Sequence, residues 1–307
     1  MEKYKIVAII VTYNGMKWID KCLKSVQNST YPLTTVIIDN KSSDETVPFI
    51  KKNYPEVDLL ESDKNLGFGQ ANNLGFNYAI EHHADFVFLL NQDAYISPDM
   101  LDKLLSVPSP EKQGIIAPVQ LNGNGSKLDV HFHHYVTPQS APGLVESYLI
   151  GKQKLSYEVQ LVNAAAWLLP IRTLMEVGGF DPIFFHYGED HHYCDRVRFH
   201  GKPILLVPDA LVCHDRETAG NVELHDKNIE KRTLMNAYLN ISVPYNKLSS
   251  YMRFTNLKYL QTVLKAFCTF NFTQVHSIFM AYWYIWTHKK TIKKNRAKNE
   301  IVGPNWL

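Results

Sequence analysis

The sequence has 307 residues, of which 45% are hydrophobic and 20% are charged, a composition typical of a folded globular protein and not of a disordered chain. Its four cysteines are far apart and form no CxxC pair, which excludes a disulfide scaffold and a cysteine zinc site and suits a reducing compartment. Residues 1–226 hold 19 Lys and Arg against 28 Asp and Glu, whereas residues 227–307 hold 13 against 2. A basic tail on an acidic body indicates contact with an anionic surface, and the acidic body disfavours nucleic-acid binding.

Apolar strands alternate with helical segments in the first half of the chain. The run 6–11 is continuously apolar and ends in a turn, so we expect a first strand there and not a signal peptide. The further predicted elements are helices at 18–27, 43–53 and 69–82 and strands at 35–38, 58–61 and 85–90. This alternation predicts βαβ units and an α/β fold with a doubly wound sheet.

Polar turns follow three of these predicted strands. They are Thr12-Tyr13-Asn14, Asp39-Asn40 and Asn91-Gln92-Asp93. Asp and Asn are common in turns for local reasons, but the carboxyl ends of parallel strands meet at one crevice. Three such turns together therefore favour a ligand site over a coincidence of turn chemistry.

The second half is less regular. Residues 108–157 are rich in Gly, Pro, Asn and His, which predicts loops and edge strands. An apolar segment at 161–170, a helix at 189–199 and a strand at 203–207 follow.

The tail carries two apolar stripes at helical spacing and then a basic run. One stripe is Leu257, Leu260, Val263, Leu264 and Phe267, and the other is Val275, Ile278, Phe279, Tyr282, Trp283 and Trp286. Six basic residues lie within 289–298, and the nine-residue apolar run at 278–286 is too short to span a membrane. The tail is therefore either an interfacial membrane anchor or a packed stripe followed by a solvated charge run, and the charge asymmetry favours the anchor.

The ordered series of motifs resembles the family 2 glycosyltransferases, and particularly their rhamnosyltransferase-like branch. The matching segments are Val11 to Asn14, Asp39 to Thr46, Asn65 to Gly75, Asn91 to Asp93, Gly178 to Asp181 and Gly188 to Asp190. The resemblance implies the GT-A fold, a doubly wound mixed sheet of Rossmann-like type with helices on both faces, plus a helical C-terminal extension. It implies a catalytic domain at 1–226, with a nucleotide-binding half at about 1–107 and an acceptor-binding half at about 108–226, and an extension at 227–307.

The resemblance implies a nucleotide-sugar pocket at the polar turns. Asp39 takes the position that binds the base or ribose, and Asp44 either contacts the nucleotide or caps the following helix. The glycines of 65–75 permit close backbone approach to a ligand. The expected donor-binding residues are Thr12, Tyr13, Asn14, Asp39, Asn40, Asp44, Asn65, Gly67, Phe68, Asn72, Asn91, Gln92 and Asp93.

Asn91-Gln92-Asp93 stands at the family's DxD position, where a carboxylate holds Mg²⁺ or Mn²⁺ on the donor diphosphate. Asn91 departs from that pattern and brings no charge, so Asp93 is the main expected metal ligand. His214 is implied as a second metal or diphosphate ligand, although a lone His is also often structural. Asp215 and Arg216 are alternatives for the diphosphate.

The Glu189-Asp190 pair opens a predicted helix, and in the family the Asp of this pair is the general base. Acidic residues at a helix start also complement the helix dipole, so a structural role is the alternative. The expected acceptor-binding residues are Trp167, His186, Tyr187 and His192, and Trp167 is equally consistent with a core position. The HxHH stretch at 131–134 has no partner at metal-site spacing, so we predict a loop and not a zinc site.

The resemblance implies an inverting enzyme that moves a sugar from a UDP-, dTDP- or GDP-linked donor to a glycan or lipid-linked acceptor. We expect it to be cytoplasmic and peripheral on the inner face of the membrane, held to an anionic surface through 257–298. A sugar nucleotidyltransferase is a rival, but the first turn lacks the Gly-rich phosphate loop it would need. A non-catalytic nucleotide-sugar or glycan-binding relative is the other rival, and Asn91 is its main support.

Overall fold

A computed structural model of the chain describes residues 3–216 and 272–307, together with Pro244 and Gln261. The strands are β1 Ile6–Thr12, β2 Thr34–Asp39, β3 Asp58–Glu61, β4 Phe86–Asn91, β5 Ala94–Ile96, β6 Ile115–Asn122, β7 Tyr157–Glu158, β8 Ala166–Pro170 and β9 Ile204–His214. The α-helices are α1 Ile19–Gln27, α2 Thr46–Asn53, α3 Phe68–Glu81, α4 Met100–Leu105, α5 Leu144–Leu149, α6 Ile171–Val177, α7 Glu189–Phe199, α8 Phe272–Thr287 and α9 Lys289–Asn299. Short 3₁₀ turns lie at Pro110–Lys112 and Phe132–Tyr135.

The strands form one mixed sheet in the order β3-β2-β1-β4-β8-β6-β9-β5, with β7 also paired to β9. The β1–β2, β1–β4 and β2–β3 pairs are parallel, as the βαβ pattern predicts. The pairs of β8 with β4 and with β6 are antiparallel. The carboxyl ends of β1, β2 and β4 therefore lie at the same edge of the sheet, with the start of β8 beside the end of β4.

Helices cover both faces of the sheet, which confirms the expected doubly wound α/β architecture. Alternate residues of the central strands point to opposite faces, so that Ile9 and Leu89 pack with α3, α6 and α7, whereas Ile10 and Leu90 pack with α1, α2 and α4. Both faces of β1 and β4 are buried, which explains why these two strands are almost continuously apolar in the sequence.

Several element boundaries differ from the sequence predictions. β6 lies inside the sheet between β8 and β9, so the prediction of only loops and edge strands for 108–157 is wrong. The strand predicted at 203–207 runs on to His214 because its second part pairs with the end of β6 and with β5. α2 begins at Thr46, later than predicted, because Asp44 accepts a hydrogen bond from the Thr46 backbone N at 3.1 Å and closes a turn before the helix.

The C-terminal helices differ in their surroundings. Phe279, Trp283 and Trp286 of α8 are 64%, 54% and 70% exposed. Ile292, Asn295 and Asn299 of α9 are buried, so α9 packs one face against the rest of the protein. No helix within the described residues is long and apolar enough to cross a membrane. The first predicted tail stripe, at 257–267, lies outside the described residues, and the domain boundary at 226 remains a prediction.

Gly67 permits a close contact between the start of α3 and the segment that precedes α7. Its φ is +78°, and a Cβ added there would overlap the backbone carbonyl of Phe185. Replacing Gly67 by Ala should therefore destabilise the fold by about 2–4 kcal/mol, since left-handed strain and overpacking act together. The expected result is a fall in melting temperature of several degrees, measured by calorimetry.

Gly201 is the matched control for this substitution. It also has a positive φ, +70°, but a Cβ added there meets nothing within 4 Å. Gly201→Ala should lose only the cost of the backbone strain, about 1 kcal/mol. Equal melting temperatures for the two variants would show that the Phe185 contact does not matter.

Candidate active site

The first polar contact at the sheet edge joins the ends of β1 and β2. Thr12 donates from Oγ1 to Oδ1 of Asp39 at 3.0 Å, and both side chains are buried. The other oxygen of Asp39 accepts a hydrogen bond from the Ser42 backbone N at 2.9 Å. This orients the Asp39 carboxylate at the end of the strand, and Tyr13, which is 48% exposed, lies beside it on the surface.

Gln92 connects the turn after β4 to the turn after β1. Its Oε1 accepts from the Tyr13 backbone N at 3.0 Å, and its Nε2 donates to the Tyr13 carbonyl at 3.2 Å. The Gln92 amide therefore pairs with the protein backbone and fixes the position of Tyr13.

Asn14 and Asp44 tie the first turn to the segment before α2. Oδ1 of Asn14 accepts from the Ser43 backbone N at 2.8 Å. Asp44 accepts from the Met16 backbone N at 3.2 Å and from the Thr46 hydroxyl at 2.5 Å. The N-cap of α2 is Glu45, so Asp44 closes the turn before the helix instead of capping it, and its contact with a nucleotide stays a prediction.

Asn40 and Asn65 form an amide network that shapes the loop before α3. Asn40 donates to Oδ1 of Asn65 at 2.9 Å and accepts from the Leu66 backbone N at 2.7 Å. Oδ1 of Asn65 also accepts from the Gly67 backbone N at 2.9 Å. The loop is thus held in place by its own side chains next to the end of β2.

The contacts of the glycine-rich stretch correct two expectations. A Cβ at Gly69 would lie 2.9 Å from Cβ of Phe180, so this glycine, like Gly67, permits close approach of protein and not of a ligand. Asn72 is 2% exposed and donates to the Phe68 carbonyl at 2.9 Å, so it stabilises the first turn of α3 and does not face a donor. The ring of Phe68 packs edge-on against Phe180.

Asp93 and His214 lie together, although they are far apart in the sequence. The register of β5 on β9 pairs Ala94 with His214, which brings Nε2 of His214 within 3.3 Å of Oδ1 of Asp93. Asn91 contributes its Nδ2 3.5 Å from the same imidazole nitrogen. The side chains expected to hold a metal therefore converge at the sheet edge.

Asp129 is a site residue that the sequence did not reveal. It is 2% exposed, its Oδ2 lies 3.9 Å from Nδ1 of His214, and it forms an ion pair of 2.7 Å with Nε of Arg216. Burial alone would raise the pKa of Asp129, but the hydrogen bond and charge of Arg216 outweigh burial and lower it. At 3.9 Å the Asp129 carboxylate is too far from His214 Nδ1 for a hydrogen bond, so it places negative charge behind the imidazole without fixing its orientation.

The oxygen–nitrogen pair of Asp93 and His214 suits a divalent cation that shares its coordination with a ligand. Mg²⁺ is commonly held by one or two carboxylates and by substrate phosphates. Within the described residues no group of three or more His, Cys, Asp or Glu side chains has metal-site geometry. Asn91 Oδ1 is a buried atom without a hydrogen-bond partner among those residues, which fits a site that a ligand completes.

Glu189 and Asp190 form the first turn of α7, as the sequence predicts. Glu189 is 6% exposed, and its Oε2 has no hydrogen-bond partner among the described residues. Burial, followed by the neighbouring Asp190 charge, raises the pKa of Glu189 to about 8. Asp190 is half-buried and accepts from the His191 backbone N at 2.8 Å, so the two acids have different surroundings.

Replacing Glu189 by Gln should change the pH dependence of stability. The folded protein holds the Glu189 proton between pH 4.5 and about 8, whereas the unfolded chain releases it, so this residue lowers the free energy of unfolding as pH rises through that range. Glu189→Gln should therefore gain stability relative to the wild type at pH 8 by more than about 1 kcal/mol and gain little at pH 4.5. Urea titrations at the two pH values measure the difference.

Glu158 provides a control, since it is an exposed acid on β7. Glu158→Gln should leave the difference between the two pH values unchanged. A Glu189→Gln variant whose stability follows the wild type at both pH values would contradict the buried, protonated carboxyl.

The expected acceptor residues are divided between the surface and the core. His186 and Tyr187 are exposed on the segment before α7 and remain candidates. Trp167 is fully buried and stacks against Phe180, so of its two alternatives the structure supports the core position and not an acceptor contact. His192 is 1% exposed and packs against Phe184, which corrects the expectation that it contacts an acceptor directly.

Comparison with known protein sequences identifies the family. A family model described as "Glycosyl transferase family 2" matches residues 7–163, which is more than half of the chain. The chain is 26% identical over 255 residues to the N-acetylglucosaminyl-diphospho-decaprenol L-rhamnosyltransferase of Mycobacterium tuberculosis, covering 72% of this chain and 81% of the relative. It is 23% identical over 211 residues to the dTDP-rhamnosyl transferase RfbF of Shigella flexneri, covering 68% of each.

Solved structures confirm the fold. The mannosyltransferase PcManGT of Pyrobaculum calidifontis, in complex with GDP-Man and Mn²⁺, has a TM-score of 0.55 at 17% identity, covering 94% of this chain and 76% of that one. S. aureus TarS in complex with UDP has a TM-score of 0.52 at 16% identity, covering 82% and 69%. The chain has the GT-A fold, is similar to rhamnosyltransferases, and belongs to the family 2 glycosyltransferases.

Proposed function

We propose that this chain is an inverting, metal-dependent glycosyltransferase that moves a sugar from a nucleotide-sugar donor to a hydroxyl of a glycan or lipid-linked acceptor in cell-surface polysaccharide synthesis. The observation that carries the proposal is the 3.3 Å approach of His214 to Asp93, at the sheet edge that also holds Asp39. Names of relatives support the substrate class, since the Mycobacterium tuberculosis relative is named for a decaprenol-linked acceptor and the Shigella flexneri relative for a dTDP-linked donor.

In the proposed reaction the donor lies along the ends of β1, β2 and β4. Asp39, fixed by Thr12 and Ser42, accepts hydrogen bonds from the nucleoside, and Tyr13 packs beside it. Asp93 and His214 would hold the divalent cation, Mg²⁺ or Mn²⁺, which would supply positive charge to the leaving diphosphate. Arg216, already paired with Asp129, adds a second positive charge near the same place.

Asp190 acts as the general base. The acceptor oxygen attacks the anomeric carbon, the bond from that carbon to the diphosphate oxygen breaks, and the hydroxyl proton passes to the Asp190 carboxylate. One positioned base suits a single displacement with inversion. Glu189 remains protonated beside Asp190 near neutral pH because burial raises its pKa, so it can donate a hydrogen bond while Asp190 accepts the proton.

The tail supports a membrane-linked acceptor. Phe279, Trp283 and Trp286 lie at i, i+4 and i+7 on α8, so they share one exposed face. Four lysines of α9 are also exposed, at positions 289, 290, 293 and 294. Aromatic side chains beside lysines suit the interface of an anionic bilayer, and a cytoplasmic, peripheral enzyme would meet its lipid-linked acceptor there.

Sedimentation with vesicles tests this part of the proposal. The wild-type protein should bind vesicles that contain phosphatidylglycerol. A variant with the three substitutions Phe279→Ser, Trp283→Ser and Trp286→Ser should not bind them. Equal binding of both proteins, or none by the wild type, would show that this face does not serve a membrane.

A donor panel tests the function itself. Release of nucleoside diphosphate from dTDP-rhamnose, UDP-hexoses and GDP-mannose is measured with Mn²⁺, Mg²⁺ or EDTA, and NMR of the product gives the anomeric configuration. We expect one nucleotide to be preferred, a requirement for metal, and inversion. Binding of a donor without turnover on any acceptor would instead favour the non-catalytic relative, the hypothesis that Asn91 supports.

A further inference from the structure

Asp181 is a buried carboxylate whose hydrogen bonds come from amides. It is 1% exposed and begins the base loop, which we define as residues 181–188, leading directly to Glu189 and Asp190. Its Oδ1 accepts from the Ile183 backbone N at 3.0 Å and from Asn295 Nδ2 at 2.7 Å. Its Oδ2 accepts from Asn299 Nδ2 at 2.7 Å. A buried carboxylate is costly unless such bonds are kept, so these contacts fix its position strongly.

The two asparagines belong to the C-terminal strap, which we define as residues 289–307. They lie one turn apart on α9 and are 7% and 0% exposed. Oδ1 of Asn299 accepts from Trp306 Nε1 at 2.7 Å, and its backbone carbonyl lies 3.0 Å from Nε2 of His200 at the end of α7. The strap is thus connected to both ends of the segment from Asp181 to α7.

The end of the strap also binds the residues just before Asp181. The Gly179 backbone N donates to the Asn305 carbonyl at 2.7 Å, and the Gly303 backbone N donates to the Glu176 carbonyl at 2.9 Å. A Cβ added at Gly179 would lie 2.8 Å from the Leu307 side chain. The small residues of the Gly-Gly-Phe-Asp motif therefore permit the strap to lie directly on this segment.

The same segment is held from two other sides. Asn73 of α3 exchanges two hydrogen bonds of 2.8 Å with the Phe180 backbone. On α7, Arg196 donates to the Gly179 carbonyl at 2.6 Å and Tyr193 donates to the Gly178 carbonyl at 3.0 Å. Residues 178–181 are therefore the place where α3, the helix of the base and the strap meet.

Four of the seven residues between Asp181 and α7 are exposed. Phe184 is buried, but Phe185 and Tyr187 are 58% and 63% exposed. Tyr187 and Gly188 have φ values of +70° and +92°, two consecutive left-handed residues immediately before Glu189. The position of this loop therefore depends on the residue that fixes its beginning, Asp181. Displacement of a catalytic group by about 1 Å can lower the rate about 10²-fold.

We propose that Asn295 and Asn299 are positioning residues for the base: through Asp181 the strap sets the base loop and hence the place of Asp190. This inference rests on the proposed function. It gives the strap two faces with separate tasks, since the asparagines hold the base loop while the exposed lysines of α9 face outward.

The test is a charge-exchange cycle at one contact. Asn299→Asp places a second carboxylate against Asp181, and Asp181→Asn places an amide against the Asn299 amide. The double variant restores the pair with its direction reversed. The new amide at position 181 can accept from Ile183 and Asn295 and donate to the new carboxylate at position 299, which can still accept from Trp306. Thr291→Ser, also at an exposed position of α9, is the matched control.

We expect each single variant to lower kcat by about 10- to 100-fold. Donor affinity should stay within about twofold of the wild type, because the hydrogen bonds between the strap and residues 3–216 go to residues 176–200 and not to Asp39 or Asp93. The double variant should recover kcat, and Thr291→Ser should keep the wild-type value. The inference is overturned if kcat is unchanged where the single variants are folded, if donor affinity falls together with kcat, or if the double variant recovers the melting temperature but not kcat.

Hydrogen–deuterium exchange gives a readout that needs no activity. The amide exchange rate of residues 181–190 should rise in Asn299→Asp, whereas that of β1 and β4 should not change. In the double variant the rate for 181–190 should return to the wild-type value. An exchange rate of 181–190 that does not change in Asn299→Asp would overturn the inference. Asn295→Ser, which leaves the Asn299 bond in place, should give the same pattern more weakly if Asn299→Asp does not fold. A wild type that transfers no sugar would overturn the proposed function. A wild type that transfers sugar, with strap variants whose kcat equals that of the wild type, would overturn only this inference.

Discussion

Replacing Asp190 by Asn is expected to lower the rate of sugar transfer by about 10²- to 10⁴-fold, the usual contribution of a positioned general base. The amide keeps the size of the side chain but cannot accept the acceptor proton. Donor affinity should stay within about twofold of the wild type, because Asp190 accepts the proton only in the transition state and not when the donor binds. The measurement is kcat at saturating donor and acceptor, with donor affinity measured separately by calorimetry.

Asp195 is the matched control for Asp190, since it is a partly buried acid on the same helix and forms an ion pair of 3.5 Å with Arg198. Asp195→Asn should keep most of the transfer rate. If Asp190→Asn keeps more than about a tenth of the rate, Asp190 is not the base. Loss in both variants alike would indicate damage to α7 and not removal of a base.

The strands and their polar ends could be predicted because local pattern and general topology rules are enough for them. A continuously apolar run such as 6–11 needs two covered faces, and covered parallel strands end at a common edge. The structure accordingly brings Thr12 and Asp39 into contact at 3.0 Å. The family resemblance added the pairing of Asp93 with His214, which no local pattern contains.

The contacts of the small and amide residues in the motifs could not be predicted in the same way. The sequence indicates close approach at position 67, but not whether the nearby group is a ligand or the Phe185 carbonyl. The same holds for Asn72, whose amide bonds to its own helix. Trp167 was equally consistent with a site and a core from its sequence alone, and only the packing decides for the core.

Residues that act through distant partners carried no sequence signal. Asp129 lies in a loop rich in Gly and Asn, and its relation to His214 depends on how β6 and β9 pair. Asn295 and Asn299 lie within a lysine-rich run, and the sequence pattern of such a run indicates an exposed charged helix and not two buried amides. Their role follows from the fold of the strap onto Asp181, more than a hundred residues earlier.

Replacing Asp93 by Asn is expected to remove the metal dependence of donor binding and to lower the transfer rate by about 10²-fold or more. A cation on a leaving diphosphate contributes several kcal/mol of charge stabilisation, and each 1.4 kcal/mol is about tenfold in rate. Because Asn91 brings no charge, Asp93 is the only carboxylate of the 91–93 turn, and Asn cannot replace it. A thermal-shift titration with the preferred donor, in Mn²⁺ and in EDTA, measures the binding, and kcat measures the rate.

Asp99 is the matched control, an acid a few residues further along whose ion pair of 2.7 Å is with Lys103. Asp99→Asn should keep both the donor-dependent thermal shift and its dependence on metal. His214→Gln should weaken both to a smaller extent, since it removes one nitrogen ligand and keeps the Asp93 carboxylate. If Asp93→Asn still showed a metal-dependent shift with donor, the cation would be held elsewhere. If the wild type itself showed a shift equal in EDTA and in Mn²⁺, Arg216 and the backbone at the sheet edge would be left as the groups that neutralise the diphosphate. The 3.3 Å contact of Asp93 with His214 would then be a structural contact and not a metal site.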